Sequence, residues 1–308
     1  MSAVVTVRAP GKVNIQLSVG AVRPDGFHPL ASVFHAVALS EEVTVWAGPP
    51  GSGIVIDDVT GLQADEVPRD AANLVWRAAE LLAAELGRPA PDVRIRIAKS
   101  VPVAGGMAGG SADGAAALVA LNTLWGSPVD PPGLARIGLA LGSDVPFSLL
   151  GGTALGLGRG ELLSPLMVRG TFHWVFATAT RGLSTPAVYR AFDRMSAGRD
   201  VPEPQADPAV IAALIAGDAR ELGRALRNDL QEPALALRPT LRDVLDIGLA
   251  AGALGGIVSG SGPTVAFLVA GPERGQDVRA ALAGSERVRA TFLTTGPAPG
   301  AQVVTRTR

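Results

Sequence analysis

Alternation of apolar and polar residues with a period of two marks many segments of this chain, and that period is typical of half-buried β-strands. In the N-terminal half it predicts strands at 4–8, 13–19, 32–39, 43–46, 54–57, 93–97 and 151–158. In the C-terminal half it predicts strands at 174–179, 257–259, 264–269, 288–294 and 301–306. Apolar residues three and four positions apart predict helices at 74–86, 115–124, 134–141, 184–195, 208–215, 219–227, 240–251 and 276–282.

Consecutive strands are frequent in the N-terminal half, and helices are interspersed throughout. This order favours an α+β fold over a strictly alternating doubly wound sheet. A length of 308 residues allows about two domains. We place the boundary near residue 166, which gives predicted domains at 1–166 and 167–308.

A glycine-rich segment, Pro102–Ala115 (PVAGGMAGGSADGA), joins the strand at 93–97 to the helix predicted at 115–124. A glycine loop that leads into a helix N-terminus can bind phosphate, because bare backbone N–H groups and the helix dipole favour an anion there. The segment lacks the lysine of a P-loop and the GxGxxG spacing of a dinucleotide fold. A tight packing turn or a hinge is the alternative that these residues leave open.

Composition restricts the classes of partner. The net charge of −1 gives no reason to expect nucleic acid or a membrane surface, and no apolar run reaches the ~20 residues of a membrane span. Cysteine is absent and the N-terminus lacks a signal-peptide pattern, which suits a reducing cytoplasm. Lysine occurs only at Lys12 and Lys99, so each is a candidate for a role that arginine could not fill.

Two side chains stand out for proton and charge chemistry. Asp144 lies in a Gly-Ser-Asp-Val-Pro turn and could accept a proton or cap the helix that follows; the residues alone leave both roles open. Lys12 follows a Pro-Gly break, which would aim its ammonium at one place. The three histidines have no paired ligand spacing, so we predict no metal site formed by protein side chains.

Three segments together resemble the motifs of the GHMP small-molecule kinases, in the same order: Pro10–Ile15, Pro102–Ala115 and Gly260–Thr264. Two more, PDGFH at 24–28 and LGSDVPF at 141–147, resemble the branch of that family that phosphorylates CDP-methylerythritol in isoprenoid biosynthesis. The resemblance covers nearly the whole chain.

This resemblance implies an N-terminal domain like domain 2 of ribosomal protein S5 and a ferredoxin-like C-terminal domain, with the active site between them. It implies ATP and Mg²⁺ as cofactors and transfer of the γ-phosphate to the tertiary C2 hydroxyl of CDP-methylerythritol. The expected partners are therefore small molecules, without nucleic acid or membrane, and the expected state is a monomer or weak homodimer.

The resemblance also assigns residues. Lys12 and Asp144 match catalytic positions. The substrate positions are Asn14, Phe27, His28, Tyr189, Ser261, Gly262 and Thr264. The ATP positions are Pro102, Val103, Ala104, Gly105, Gly106, Met107, Ala108, Gly109, Gly110, Ser111 and Ala112, with Asn73 and Lys99 expected near the adenine. Phe27 stands where tyrosine is commoner and Tyr189 where phenylalanine is commoner, so base stacking survives both differences.

The sequence leaves other functions open. A GHMP kinase acting on homoserine, mevalonate or a sugar would share the three motifs, although the segments at 24–28 and 141–147 argue against it. A non-catalytic nucleotide-binding module would have no need for both Lys12 and Asp144. An S5-like RNA binder is disfavoured by the neutral charge and the absence of a basic stripe.

Overall fold

A computed structural model describes residues 3–88, 91–103 and 105–307. Its strands are β1 (Val4–Val19), β2 (Leu30–Ala47), β3 (Ile54–Gly61), β4 (Val93–Lys99), β5 (Thr153–Gly158), β6 (Leu162–Pro165), β7 (Phe172–Ala179), β8 (Arg227–Asn228), β9 (Gly255–Val258), β10 (Val265–Val269), β11 (Val288–Gly296) and β12 (Gln302–Thr307). Its α-helices are α1 (Leu74–Glu85), α2 (Gly109–Leu124), α3 (Pro131–Leu141), α4 (Val145–Leu150), α5 (Thr185–Ser196), α6 (Pro208–Ala216), α7 (Ala219–Ala225), α8 (Gln231–Leu237), α9 (Thr240–Ala250) and α10 (Pro272–Ala283).

The larger sheet has the order β12-β1-β2-β4-β3, with β5 on β2, β6 on β5 and β8 on β1. Most pairs are antiparallel, but β3–β4 and β1–β8 are parallel. The smaller sheet is antiparallel with the order β11-β7-β10-β9. Two largely antiparallel sheets, with helices interspersed along the chain, confirm the α+β prediction. No helix among the described residues is long and apolar enough to cross a membrane.

β1 and β2 are longer than the sequence predicts. The prediction that the strand ends at residues 9–11 is wrong, because β1 continues through them. The pairing of β1 with β2 shifts its register at this point instead. Pro10 pairs with Ser40 whereas Gly11 pairs with Val37, so the partner strand carries extra residues at this point. Such an irregularity bends a strand and redirects its side chains. Lys12 follows directly after it.

α2 begins at Gly109, six residues before the predicted start, so the second glycine pair of the loop belongs to the helix. Glycine is a poor helix former, and tertiary packing overrides that propensity here. A Cβ on Gly109 would lie 2.9 Å from Oε1 of Glu41 and 3.3 Å from Cβ of Val101, so a larger residue would push against both side chains. The rest of α2 is lined with buried alanine and leucine, packed against β1, β2 and α1.

The two sheets share an apolar core. Val13 and Val33 of the larger sheet pack in one cluster with Trp174 and Phe176 of the smaller sheet, and Met107 of the glycine loop is buried among them. The last strand, β12, returns to pair with β1. The larger sheet is thus completed by the C-terminal end of the chain, and the division at residue 166 stays a prediction.

A buried ionic cluster joins the start of α2 to the sheet. The ammonium of Lys99 lies 2.6 Å from Oε1 of Glu41 and is also paired with Asp113 of α2. Glu41 additionally accepts a hydrogen bond of 2.9 Å from the N–H of Ser100. One buried lysine therefore bridges a buried carboxylate of β2 and a buried carboxylate of α2.

The charges in this cluster do not balance, and the pKa values shift accordingly. Burial raises the pKa of Asp113 to about 7, because the attraction of Lys99 offsets only part of the desolvation and Glu41 adds repulsion. Burial also raises the pKa of Glu41, although Lys99 opposes this. For Lys99, burial lowers the pKa but Asp113 and Glu41 together more than compensate, so its pKa is raised and it stays charged.

Removing the lysine should therefore cost much more stability than removing one carboxylate charge. We expect Lys99→Met to lower the free energy of unfolding by about 3–5 kcal/mol, because it leaves two buried carboxyl groups without a counter-charge. Glu41→Gln keeps an acceptor for the Ser100 N–H and leaves one lysine facing one carboxylate, so its loss should stay below about 1.5 kcal/mol. Urea unfolding at neutral pH measures both; equal losses would contradict the bridging role.

Candidate active site

A cavity of about 1210 Å³ opens where the glycine loop, β1 and the C-terminal half of the chain meet. Its walls come from nine separate stretches of the described sequence, the first at 12–17 and the last at 260–261. The residues predicted as site residues that line it are Lys12, Asn14, Phe27, His28, Pro102, Gly105, Gly106, Ala108, Gly109, Gly110, Ser111, Asp144, Tyr189 and Ser261. One cavity therefore holds residues from all three predicted motifs.

The glycine loop presents backbone to this cavity. Gly105, Gly106 and the first residues of α2 line it, and the first N–H groups of a helix have no partner within the helix. Ala108, the residue before α2, has a φ of 59°, a left-handed conformation that is uncommon for alanine. This turn directs the N-terminus of α2 into the cavity. Backbone donors and the positive end of the helix dipole thus converge on one wall.

The loop containing Gly260 packs directly on the glycine loop. Gly106 has a φ of +74°, and a Cβ there would collide with the carbonyl oxygen of Ser259. The hydroxyl of Ser259 donates a hydrogen bond of 3.1 Å to the carbonyl oxygen of Gly106. Asn228 supports the second loop from behind, since its Nδ2 donates to the carbonyl oxygens of Val258 and Gly260 at 2.8 and 2.7 Å.

Lys12 and Asp144 face each other at the wall of the cavity. The Nζ of Lys12 lies 3.8 Å from Oδ2 of Asp144, with the lysine side chain 6% and the aspartate side chain 30% exposed. Nζ also donates a hydrogen bond of 2.6 Å to Oδ1 of Asn14. Asn14 in turn donates to Oγ of Ser32 at 2.7 Å. The ammonium is therefore held at one position, and the carboxylate beside it is open to a ligand.

The N–H of Lys12 also donates to the carbonyl oxygen of Met107 at 3.1 Å, which ties β1 to the glycine loop. Burial lowers the pKa of Lys12, and the neighbouring Asp144 opposes that shift only in part. Asp144 precedes α4, but its side chain makes no capping hydrogen bond. The helix-capping alternative for Asp144 is therefore absent from this structure.

The far end of the cavity is aromatic. His28 is buried, with Nδ1 at 2.8 Å from the carbonyl oxygen of Gly20 and Nε2 at 3.3 Å from Oδ1 of Asp193. The rings of His28 and Tyr189 are 5.1 Å apart, centroid to centroid. Burial, with a smaller contribution from Asp144, raises the pKa of Tyr189 to about 12, so its hydroxyl stays protonated. Phe27 remains 49% exposed.

Several predicted site residues lie outside the cavity wall. Asn73 caps α1, where Oδ1 accepts the N–H of Val75 at 3.0 Å and Nδ2 donates to the carbonyl oxygen of Pro68 at 2.7 Å. Lys99 is buried in the ionic cluster described above. The polar groups of both side chains bond to the protein itself, and the place of these residues beside an adenine stays a prediction.

Other predicted residues support the wall from behind. Met107, Ala112 and Thr264 are fully buried, and Thr264 lies against Gly105, whose Cβ would be 2.9 Å from its Oγ1. The N–H of Val103 donates to Oε1 of Gln63 at 3.1 Å. Gly262 lies in the second loop, away from the cavity wall. Ala104 lies outside the described residues.

The structure adds residues that sequence reasoning missed. Arg23, Ser143, Arg159, Thr185, Arg190 and Asp193 also line the cavity. Oγ1 of Thr185 lies 2.7 Å from Oγ of Ser261, which connects α5 to the second loop. Ser143 lies within the recognised segment at 141–147 and Arg23 directly precedes the one at 24–28, so both could have been included. Arg159 and Asp193 carry no motif, so only the tertiary structure brings them to the site.

The described side chains limit how a metal ion such as Mg²⁺ could be held. Within the described residues, no group of three or more His, Asp or Glu side chains is placed to hold a metal ion. Asp113 is buried and paired with Lys99. The oxygen donors that do reach the cavity include Asp144 and Ser111. Such a sparse set suits Mg²⁺ that arrives on nucleotide phosphates, since this ion usually takes one or two carboxylates and keeps its other ligands from phosphate and water.

Comparison with known proteins agrees with this geometry. Residues 73–152 match the model of the GHMP kinases N terminal domain, and residues 210–286 match that of the GHMP kinases C terminal domain. The 4-diphosphocytidyl-2-C-methyl-D-erythritol kinase of Streptomyces coelicolor is 57% identical over 300 residues, covering 97% of this chain and 99% of its own. The enzyme of that name from Mycolicibacterium smegmatis is 53% identical over 302 residues, covering 97% of this chain and 92% of its own.

Solved structures extend the comparison. A crystal structure of 4-(cytidine 5'-diphospho)-2C-methyl-D-erythritol kinase superposes with a TM-score of 0.75 at 34% identity, covering 94% of this chain and 98% of its own. Homoserine kinase from Cytophaga hutchinsonii superposes with a TM-score of 0.74 at 21% identity, which shows the shared fold alone; it covers 98% of this chain and 97% of its own. The chain therefore belongs to the GHMP kinases, in the family of the 4-diphosphocytidyl-2-C-methyl-D-erythritol kinases.

Proposed function

We propose that this GHMP kinase transfers the γ-phosphate of ATP to the C2 hydroxyl of 4-diphosphocytidyl-2-C-methyl-D-erythritol. The observation that carries the proposal is the Lys12–Asp144 pair, 3.8 Å apart, at the wall of one cavity whose ends differ. One end is backbone and a helix N-terminus; the other is aromatic and carries His28. The identity of 57% to a kinase of that name over nearly the full length supports the choice of acceptor.

Asp144 is the proposed proton acceptor. Phosphoryl transfer requires that the attacking hydroxyl be held in line and lose its proton as the new bond to phosphorus forms. The carboxylate of Asp144 is accessible from the cavity and is free of a capping bond, so it can orient that hydroxyl and take its proton. The adjacent ammonium of Lys12 would stabilise negative charge on the transferring phosphoryl group.

The glycine loop is the proposed site of the ATP phosphates. Backbone N–H groups from Gly105 to Ser111 and the start of α2 would surround them, and Ser261 on the second loop faces the same space. Pro102, Val103, Ala104, Met107 and Ala112 complete this segment. Mg²⁺ bound with the nucleotide would neutralise part of the phosphate charge, with Asp144 and Ser111 as the oxygen donors in reach.

The aromatic end is the proposed site of the cytidine. Phe27 and Tyr189 offer flat faces for a pyrimidine, and the edge of the base would meet His28 and Asp193. The carboxylate of Asp193 accepts hydrogen bonds, which suits the amino group of cytosine and not the carbonyl that uracil carries at the same position. Asn14, beside Lys12, would position the polyol, and Gly262 and Thr264 would support the second loop.

The acceptor assignment predicts a clear preference. With ATP and Mg²⁺, we expect kcat/KM for CDP-methylerythritol to exceed that for homoserine, mevalonate or galactose by at least about 100-fold, because only the first fills the aromatic end. Coupled measurement of ADP release tests this, and omission of Mg²⁺ should abolish turnover. ADP release that depends on another acceptor, with none from CDP-methylerythritol, would overturn the assignment.

The role of Asp144 predicts a second outcome. Asp144→Asn should lower kcat by about 10²–10⁴-fold, because the amide cannot take the proton, while ATP affinity and the far-ultraviolet circular dichroism spectrum stay close to those of the parent. Asp193→Asn is the matched carboxylate control at the aromatic end, and it should raise KM for the acceptor with kcat largely kept. A near-normal kcat in Asp144→Asn would remove this residue from the catalytic step.

A further inference from the structure

We propose that Arg159 is a positioning residue, which holds the ring of Phe27 in place so that its free face can receive the pyrimidine. This inference rests on the proposed function, because it concerns the nucleoside end of the acceptor. In the sequence, Arg159 lies far from the glycine loop and from the loop containing Gly260, and it belongs to no motif.

The contact itself is a stack of a guanidinium on an aromatic ring. Cζ of Arg159 lies 3.6 Å from the centroid of the Phe27 ring, and both side chains line the cavity. A guanidinium is planar and delocalised, so it can lie on the face of an aromatic ring and interact with its π-electrons. One face of Phe27 is thereby covered by protein.

Asp25 couples the two partners. Its Oδ1 accepts the N–H of Phe27 at 3.0 Å, and its Oδ2 lies 3.3 Å from Nη2 of Arg159. Oδ2 also lies 3.6 Å from a guanidinium nitrogen of Arg23. The hydrogen bond from Phe27 is the main cause of a lowered pKa for Asp25, so this carboxylate is ionised at neutral pH. Asp25 therefore fixes the backbone of Phe27 and the side chain above it.

The turn that carries Arg159 is also defined by hydrogen bonds. Arg159 lies between β5 and β6, where the N–H of Gly160 donates to the carbonyl oxygen of Leu157 at 3.0 Å. Glu161 accepts the N–H of Arg159 itself at 2.5 Å. The guanidinium is thus presented from a closed hairpin rather than from an open loop.

The ring of Phe27 needs the support of Arg159. It follows an exposed turn at 24–26 and is 49% exposed, so little packing fixes its ring before the acceptor binds. A ring that is free to rotate must lose side-chain entropy on binding a base, and a ring already held does not. The stack with Arg159 therefore pre-organises Phe27 for the pyrimidine.

Steady-state kinetics of Arg159→Gln test the role. We expect KM for CDP-methylerythritol to rise about 10-fold, which corresponds to about 1.4 kcal/mol, with kcat and KM for ATP unchanged. Arg159→Lys keeps the charge but not the planar group, and it should remain impaired. Arg96→Gln is the matched control, because the guanidinium of Arg96 lies over the ring of Trp46, 4.9 Å from its centroid, and outside the cavity. It should leave KM for the acceptor unchanged. Full activity in Arg159→Lys would overturn the stacking role.

A double-mutant cycle separates support of Phe27 from direct binding of the acceptor's diphosphate. In a Phe27→Leu background, Arg159→Gln should have little further effect on KM, because the ring on which it acts is gone. If Arg159→Gln still raises KM about 10-fold in that background, Arg159 acts on the diphosphate and the proposal is wrong. Calorimetric titration with CMP, which lacks the second phosphate and the polyol, should show the same weakening in Arg159→Gln as the kinetics show.

The outcomes also distinguish this proposal from the proposed function. If the parent protein releases no ADP with CDP-methylerythritol, the assigned acceptor is wrong and the role of Arg159 falls with it. If the parent turns over this acceptor and Arg159→Gln, with an unchanged melting temperature, keeps the parent KM and CMP affinity, only the role of Arg159 is wrong.

Discussion

The site depends on a close approach of three backbone segments that are far apart in the sequence. Gly106 leaves no room for a side chain against the carbonyl oxygen of Ser259, and a Cβ on Gly260 would lie 3.5 Å from Nζ of Lys12. The N–H of Lys12 donates to the carbonyl oxygen of Met107 in the same region. Because a Cβ on Gly106 would collide with that carbonyl oxygen, and Gly260 has a φ of +57° that side chains rarely adopt, glycine at these two positions permits the close approach.

The two lysines of the chain show how surroundings divide one residue type into two uses. Both are buried, but Lys99 lies between two carboxylates that raise its pKa. Lys12 has one carboxylate neighbour, and burial lowers its pKa. Lys99 therefore stabilises the attachment of α2 to the sheet, whereas Lys12 faces a cavity with an open carboxylate beside it. The first strengthens the frame on which the proposed chemistry of the second depends.

The two ends of the cavity differ in what holds them. The glycine-loop end is formed by backbone that packs against a shared core, with Met107 and Thr264 beneath it. The aromatic end is more exposed, and its Phe27 lies in a turn held by Asp25 and Arg159. Because these two ends are held by separate contacts, side chains at the aromatic end can differ between proteins of this fold without disturbing the glycine loop.

Local pattern by itself determined most of the elements and the α+β class, because the hydrophobic period depends on neighbours in the chain. The motifs, by their resemblance to GHMP kinases, pointed to Lys12, Asp144 and the glycine loop. The sequence could not show that α2 begins at Gly109, that β1 runs through the Pro-Gly break, or that Lys99 is buried between Glu41 and Asp113. Nor could it show that Arg159 covers Phe27. Each of these depends on contacts between residues far apart in the chain, and only the tertiary structure brings such residues together.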